Sequence, residues 1–121
     1  MSDSTPAKPV GPYTPAVRAG DWLVVSGQVG IADGKLVSGG TDGELRQAIA
    51  NLKGHLEANG ASLDKVVKTM VFLRHMSDYP LMNEVYTELF GDHRPARSAI
   101  GVAELPLGAL VEVEAWAWLG A

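Results

Sequence analysis

The sequence predicts an α+β fold, a mixed β-sheet with two helices packed on one face and another copy of the chain against the other. Three patterns carry that prediction. Short apolar runs bounded by glycines alternate with two amphipathic segments, in the order strand, hairpin, helix, strand, helix, strand, strand. Two helices cover only one face of such a sheet. Trp22, Trp116 and Trp118 fall on strands whose alternate residues already supply a core face, and burying an aromatic side chain contributes roughly 1.5 to 3 kcal/mol. Left open, these rings form a sizeable apolar patch, so a second copy is the expected cover.

Trp22-Leu23-Val24-Val25-Ser26, bounded by Gly20-Asp21 and Gly27, reads as a buried strand. Val29 to Ala32 and Lys35-Leu36-Val37 flank Asp33-Gly34, a dipeptide suited to positive φ at both turn positions, and form a short hairpin. After a Gly-rich loop over 38–43, Thr41-Asp42-Gly43-Glu44 has capping-box spacing. Leu45, Ala48, Ile49, Leu52, Leu56 and Asn59 then recur at helical intervals until Gly60. Val66 to Leu73 has Lys68 and Thr69 as its only polar members, the pattern of a central strand covered on both faces. Ser77-Asp78-Tyr79-Pro80 opens the second helix, with Met82, Val85, Tyr86 and Leu89 on one side and Gly91 past its end.

The last two strands hold the most informative residues. With period two, Ile100 and Val102 share one face, and Arg97, Ala99 and Gly101 the other; Val111, Val113, Ala115 and Ala117 are separated in the same way from Glu112, Glu114, Trp116 and Trp118. If Leu105 to Gly108 is a four-residue hairpin loop, Gly101 opposes Glu112 and Arg97 opposes Trp116. Arg97, Glu112 and Glu114 then share a face, with Arg97 and Glu112 roughly 13 Å apart along the strand.

The 121 residues are 46% hydrophobic and suit one domain, expected over residues 11–121 behind a flexible arm over 1–10. A formal charge of -4 and a pI near 5.2 argue against a general attraction to nucleic-acid phosphates. No cysteine is present, which removes disulfides, thiolate nucleophiles and zinc ribbons and is compatible with the cytoplasm. The arm has no apolar h-region and no window is long enough for a membrane span, so a soluble cytoplasmic protein is expected.

An arginine at a strand start is most often a solvated surface residue. Beside Ala99 and Gly101, however, the Arg97 guanidinium has room to grip a small carboxylate with two charge-assisted hydrogen bonds. Arg94, before Pro95, is the weaker candidate. Glu112 and Glu114 read as solvated carboxylates or, beside the tryptophans, as general acid/base groups in a partly dry site; spacing does not choose between them. His55, His75 and His93 lack metal-ligand spacing and are expected at the surface. Tyr13 lies in a restrained Gly-Pro loop, as a ligand contact or a domain-edge anchor. In Ser26-Gly27-Gln28 the glycine fits a close approach to a ligand and a bulge equally well.

Gly11-Pro12-Tyr13-Thr14, Ser26-Gly27-Gln28, Ser62 to Thr69, Asn83-Glu84-Val85-Tyr86, Arg94-Pro95-Ala96-Arg97-Ser98 and Val111-Glu112-Val113-Glu114-Ala115 together resemble the RidA (YjgF/YER057c/UK114) family. The resemblance implies a chorismate-mutase-like fold, a homotrimer with ligand sites between subunits, and a detoxifying hydrolase. Its substrates would be reactive enamine and imine carboxylates such as 2-aminoacrylate, converted to 2-oxo acids and ammonia without metal or organic cofactor. It also implies Arg97 as the carboxylate ligand, Glu112 as the acid near the attacking water, and Tyr13, Ser26, Gly27 and Ala99 as substrate-binding positions, with Asn83 and Tyr86 in support. Ala99 replaces a cysteine and Pro15 a glutamine found in many members. A non-catalytic module binding small carboxylates or 2-oxo acids is the alternative; a ribonuclease fits the acidic charge least.

Overall fold

The helix layer and one sheet face share a single core, in a computed structural model that describes residues 8–121. The arm expected over 1–10 therefore lies mostly outside the described residues. Strands β1 (Ala16–Ala19), β2 (Trp22–Val29), β5 (Val66–Leu73), β6 (Ala96–Gly101) and β7 (Val111–Trp118) form one mixed sheet in the order β1-β2-β7-β5-β6. Strands β3 (Ile31–Ala32) and β4 (Lys35–Leu36) form the expected hairpin, with Asp33 and Gly34 both at positive φ. The short edge strand β1 has no alternation by which the sequence would mark it.

Helices α1 (Gly40–Ala58) and α2 (Tyr79–Phe90) lie against the same sheet face, as expected. From α1, Leu45, Ile49, Leu52 and Leu56 meet the inward residues Leu23, Val25, Val111 and Val113; from α2 come Met82, Val85, Tyr86 and Phe90. The α1 stripe ends in a Schellman closure, with Ala61 N–H on the Leu56 carbonyl at 2.9 Å and Gly60 N–H on the Glu57 carbonyl at 3.2 Å. Pro80 lies in the first turn of α2, where no amide hydrogen is needed.

The capping box does not form. Helix α1 begins behind Gly39 at φ 104°, and its two box residues bond across the fold. Thr41 donates to the Asp78 carboxylate at 2.6 Å, and the buried Glu44 accepts from Leu110 N–H at 2.8 Å. Tertiary partners have overridden the local motif.

The expected hairpin between β6 and β7 is also corrected. Strand β5 lies between them, parallel to β6 and antiparallel to β7. The 102–110 connection crosses the end of β5, where Val102 N–H bonds the Leu73 carbonyl at 2.9 Å and Arg74 N–H bonds the Leu110 carbonyl at 3.0 Å. Pairing Arg97 with Thr69 and Thr69 with Ala115 turns Arg97, Ala99 and Gly101 toward the helix layer; Ile100 is 43% exposed on the other face. β5 is interior, but Met70 and Phe72 on the open face remain half-buried. Trp22, Trp116 and Trp118 stay 37–47% exposed on that face, with Trp22 edge-on to Trp118 at 4.9 Å.

At Gly30, just past the end of β2, the chain passes close against the backbone of α1. A Cβ there would lie 2.5 Å from the Glu44 carbonyl oxygen and 2.6 Å from the Glu44 Cα, both backbone atoms that cannot rotate away. Gly30→Ala is expected to lower stability by about 1–3 kcal/mol, read as a lower urea midpoint at fixed protein concentration. An unchanged midpoint would contradict this packing.

Candidate functional site

A cleft of about 310 Å³ opens where β2 bulges away from β7. That volume is at the small end of ligand pockets. The bulge falls between Val25 and Gln28, so the bulge expectation for Gly27 holds, and the group that approaches it closely is a side chain of this chain. The approaching group is Glu112, whose carboxyl carbon lies 2.7 Å from where a Gly27 Cβ would stand. Ser26 ties the bulge to the preceding loop, donating from its hydroxyl to the Thr14 carbonyl at 2.7 Å and from its amide to the Pro15 carbonyl at 2.8 Å. Tyr13 stands on that loop at the cleft, its hydroxyl accepting from Val10 N–H at 3.2 Å.

Burial pushes the Glu112 carboxyl above the usual carboxylate range, and the negative charge of Glu114 adds to the rise. Both carboxylates line the cleft. The strand alternation that buries Val111 and Val113 presents them on its opposite face, as the sequence implies.

Tyr13, Ser26, Gly27 and Glu112 thus come together, whereas Arg97 and Ala99 do not join them. The parallel pairing of β6 places Arg97 on the opposite sheet face, two strands from Glu112, and strand spacing and rise separate their backbones by roughly 14 Å. Ala99 packs at the margin of the core. The Arg97 guanidinium lies 4.9 Å from the Tyr86 ring centroid and 5.6 Å from that of Tyr79, and donates to the Tyr79 hydroxyl at 3.1 Å. It forms no ion pair among the described residues.

A model of the family described as Endoribonuclease L-PSP, the YjgF/RidA family, matches residues 4–119. The chain belongs to this family. A RutC family protein of Pyrococcus horikoshii is 45% identical over 113 residues, covering 92% of this chain and 90% of its own length. A relative from Dermatophagoides farinae, named 2-iminobutanoate/2-iminopropanoate deaminase, is 44% identical over 115 residues, covering 92% of this chain and 90% of its own length. Among solved structures, Escherichia coli TdcF with bound serine is 29% identical and superposes with a TM-score of 0.90 over 98% of this chain and 97% of its own.

Several other polar residues of this RidA-family chain resolve into structural roles. Arg94 donates to the Gly91 and His93 carbonyls behind α2, away from the cleft. Tyr86 is buried and shares a 2.8 Å hydrogen bond with the buried Thr69, and burial pushes its phenol upward. Asn83 is half-buried on α2, with no partner for its side-chain oxygen among the described residues. The surface expectation for the histidines holds for His75 alone: His55 is buried among the apolar residues of α1, and His93 donates to the Val66 carbonyl at 2.7 Å. Among the described residues no group of acidic or histidine side chains could hold a metal, and no helix is long and apolar enough to cross a membrane.

Asn51 escaped the sequence reading. Its side-chain amide donates to the Val29 and Ile31 carbonyls at 3.1 and 2.9 Å, pinning the cleft wall beyond the bulge. Its signal is an asparagine beside an otherwise apolar helical stripe.

The raised Glu112 pKa has a consequence for stability. Folding favours the protonated form, so the folded chain holds more protons than the unfolded one between the two pKa values, and stability falls as pH rises through that window. Glu112→Gln removes the charge that costs stability. The variant is expected to melt above wild type at pH 7, with the difference shrinking below the unfolded carboxylate pKa. Equal melting temperatures at pH 7 would contradict the burial of this carboxyl.

Proposed function

We propose that the chain hydrolyses reactive enamine and imine carboxylates, 2-aminoacrylate among them, to 2-oxo acids and ammonia. The observation that carries this reading is the half-buried Glu112 carboxyl, raised in pKa and seated on the Gly27 bulge at a small cleft. The names of relatives such as the mite deaminase support it. The enamine tautomerises to the imine, and water attacks the C=N carbon while Glu112 takes a proton from that water. That proton passes to the imine nitrogen to give the neutral carbinolamine; the hydroxyl proton then moves through Glu112 to the amino nitrogen, the C–N bond breaks, ammonia leaves and the carbonyl remains. All atoms come from imine and water.

In this reading Arg97 of an adjoining subunit grips the substrate carboxylate. Its distance from Glu112, the opposite faces of the two groups and its freedom from ion pairs among the described residues support a site completed across a boundary. The exposed tryptophan face supports an assembly through the open side of the sheet, a chorismate-mutase-like homotrimer. Residues 11–121 then act as one domain, with Lys8 and Val10 of the arm at the cleft. The role is removal of imines released in the cytoplasm by dehydratases that use pyridoxal phosphate.

The test generates 2-aminoacrylate in situ and follows ammonia and pyruvate release with wild type, Arg97→Ala, Glu112→Gln and no protein. Wild type alone is expected to exceed the blank by a wide margin. Equal rates in all four reject catalysis. The serine bound in the Escherichia coli relative favours a second reading, a non-catalytic module for small carboxylates, and oxo-acid binding without turnover would select it.

A further inference from the structure

We infer that Tyr79 is a positioning residue for Arg97, its hydroxyl fixing which edge of the guanidinium is offered to a substrate carboxylate. The inference rests on the reading of Arg97 as carboxylate ligand. An arginine side chain at a sheet edge has several rotatable bonds, and a two-point grip on a carboxylate needs its plane held. Here three side chains of α2 hold it. The Tyr86 ring lies 4.9 Å from the guanidinium carbon, the Met82 sulfur accepts from Nη1 at 3.5 Å, and the Tyr79 hydroxyl accepts from Nη2 at 3.1 Å. Tyr86 is itself fixed, by its bond to Thr69 and by stacking on Phe90 at 4.5 Å. Rings confine the guanidinium without choosing an orientation within its plane, and the thioether sulfur is only a weak acceptor; a strong directional hydrogen bond sets it. Tyr79 makes that bond. It is 37% exposed and lies in the first turn of α2, so its hydroxyl contributes little to the core. The remaining N–H donors of Arg97 face no acidic group among the described residues and stay available to a ligand.

Tyr79→Phe removes the hydroxyl and keeps the ring. With an imine generated in situ, KM is expected to rise roughly three- to tenfold, the net contribution of an ordinary hydrogen bond, while kcat and the melting temperature stay as in wild type. Arg97→Ala run beside it reports on the underlying reading. If Arg97→Ala raises KM and Tyr79→Phe does not, Tyr79 merely packs and the inference is overturned. A fall in melting temperature that accompanies any rise in KM overturns it equally, since the effect would then be structural. Calorimetric titration with 2-oxobutanoate keeps the test open if wild type shows no turnover: weaker binding by Tyr79→Phe supports the inference and equal binding overturns it. If wild type binds no 2-oxobutanoate and turns over no imine, the carboxylate role of Arg97 fails and the inference fails with it.

Discussion

Glu112→Gln is expected to lower the blank-corrected kcat for imine hydrolysis by roughly 10²- to 10⁴-fold, the usual contribution of a positioned acid/base group. The amide keeps the shape of the carboxyl, so the fit against the Gly27 bulge is retained. It cannot take a proton from water. Because burial and Glu114 both raise the Glu112 pKa, the acidic limb of the wild-type rate profile should lie above the usual carboxylate range, and it should disappear from the residual activity of the variant. Progress curves at saturating imine across pH check both statements. A kcat within about twofold of wild type would remove Glu112 from the proton transfers.

Arg97→Ala is expected to raise KM by roughly 10²-fold or more, since it removes a two-point grip whose charge-assisted hydrogen bonds contribute about 1.5–3 kcal/mol each. Arg97→Lys keeps the charge without the planar fork, and should recover part of the affinity but not all. Both changes also release Tyr79 and Tyr86 from their contacts with the guanidinium, so the melting temperature must be read in parallel. An unchanged KM in a stable Arg97→Ala protein would assign the carboxylate to another cation, of which Lys8 at the cleft is the first to examine.

Local chemistry made much of this fold readable. Asp33-Gly34 requires positive φ twice and made its hairpin; Gly60 and Gly91 ended the two helices where apolar spacing placed their ends. Alternation along β7 identified Glu112 and Glu114 as the face opposite the core. Strand pairing was less accessible, because it is a long-range property. The short Leu105–Gly108 break looks like a hairpin turn, yet β6 pairs with β5 across the intervening α2. Strand, helix, strand is the order that favours parallel neighbours, and that signal outweighs the loop length. Misplacing one strand reversed the face assigned to Arg97 and brought it falsely into line with Glu112. Glu44 and Asn51 were obscured for a related reason: each resembles a local helical feature, and each acts on a segment distant in sequence.

In the proposed assembly Arg97 of one subunit and Glu112 of another complete a single site. Co-expressing Arg97→Ala and Glu112→Gln chains and measuring ammonia release from in situ 2-aminoacrylate tests it most directly. Random assortment pairs an intact Arg97 with an intact Glu112 at about one quarter of the boundaries in a cyclic oligomer, so the mixture should regain about a quarter of wild-type activity. A mixture no more active than the two variants measured separately would contradict the shared site.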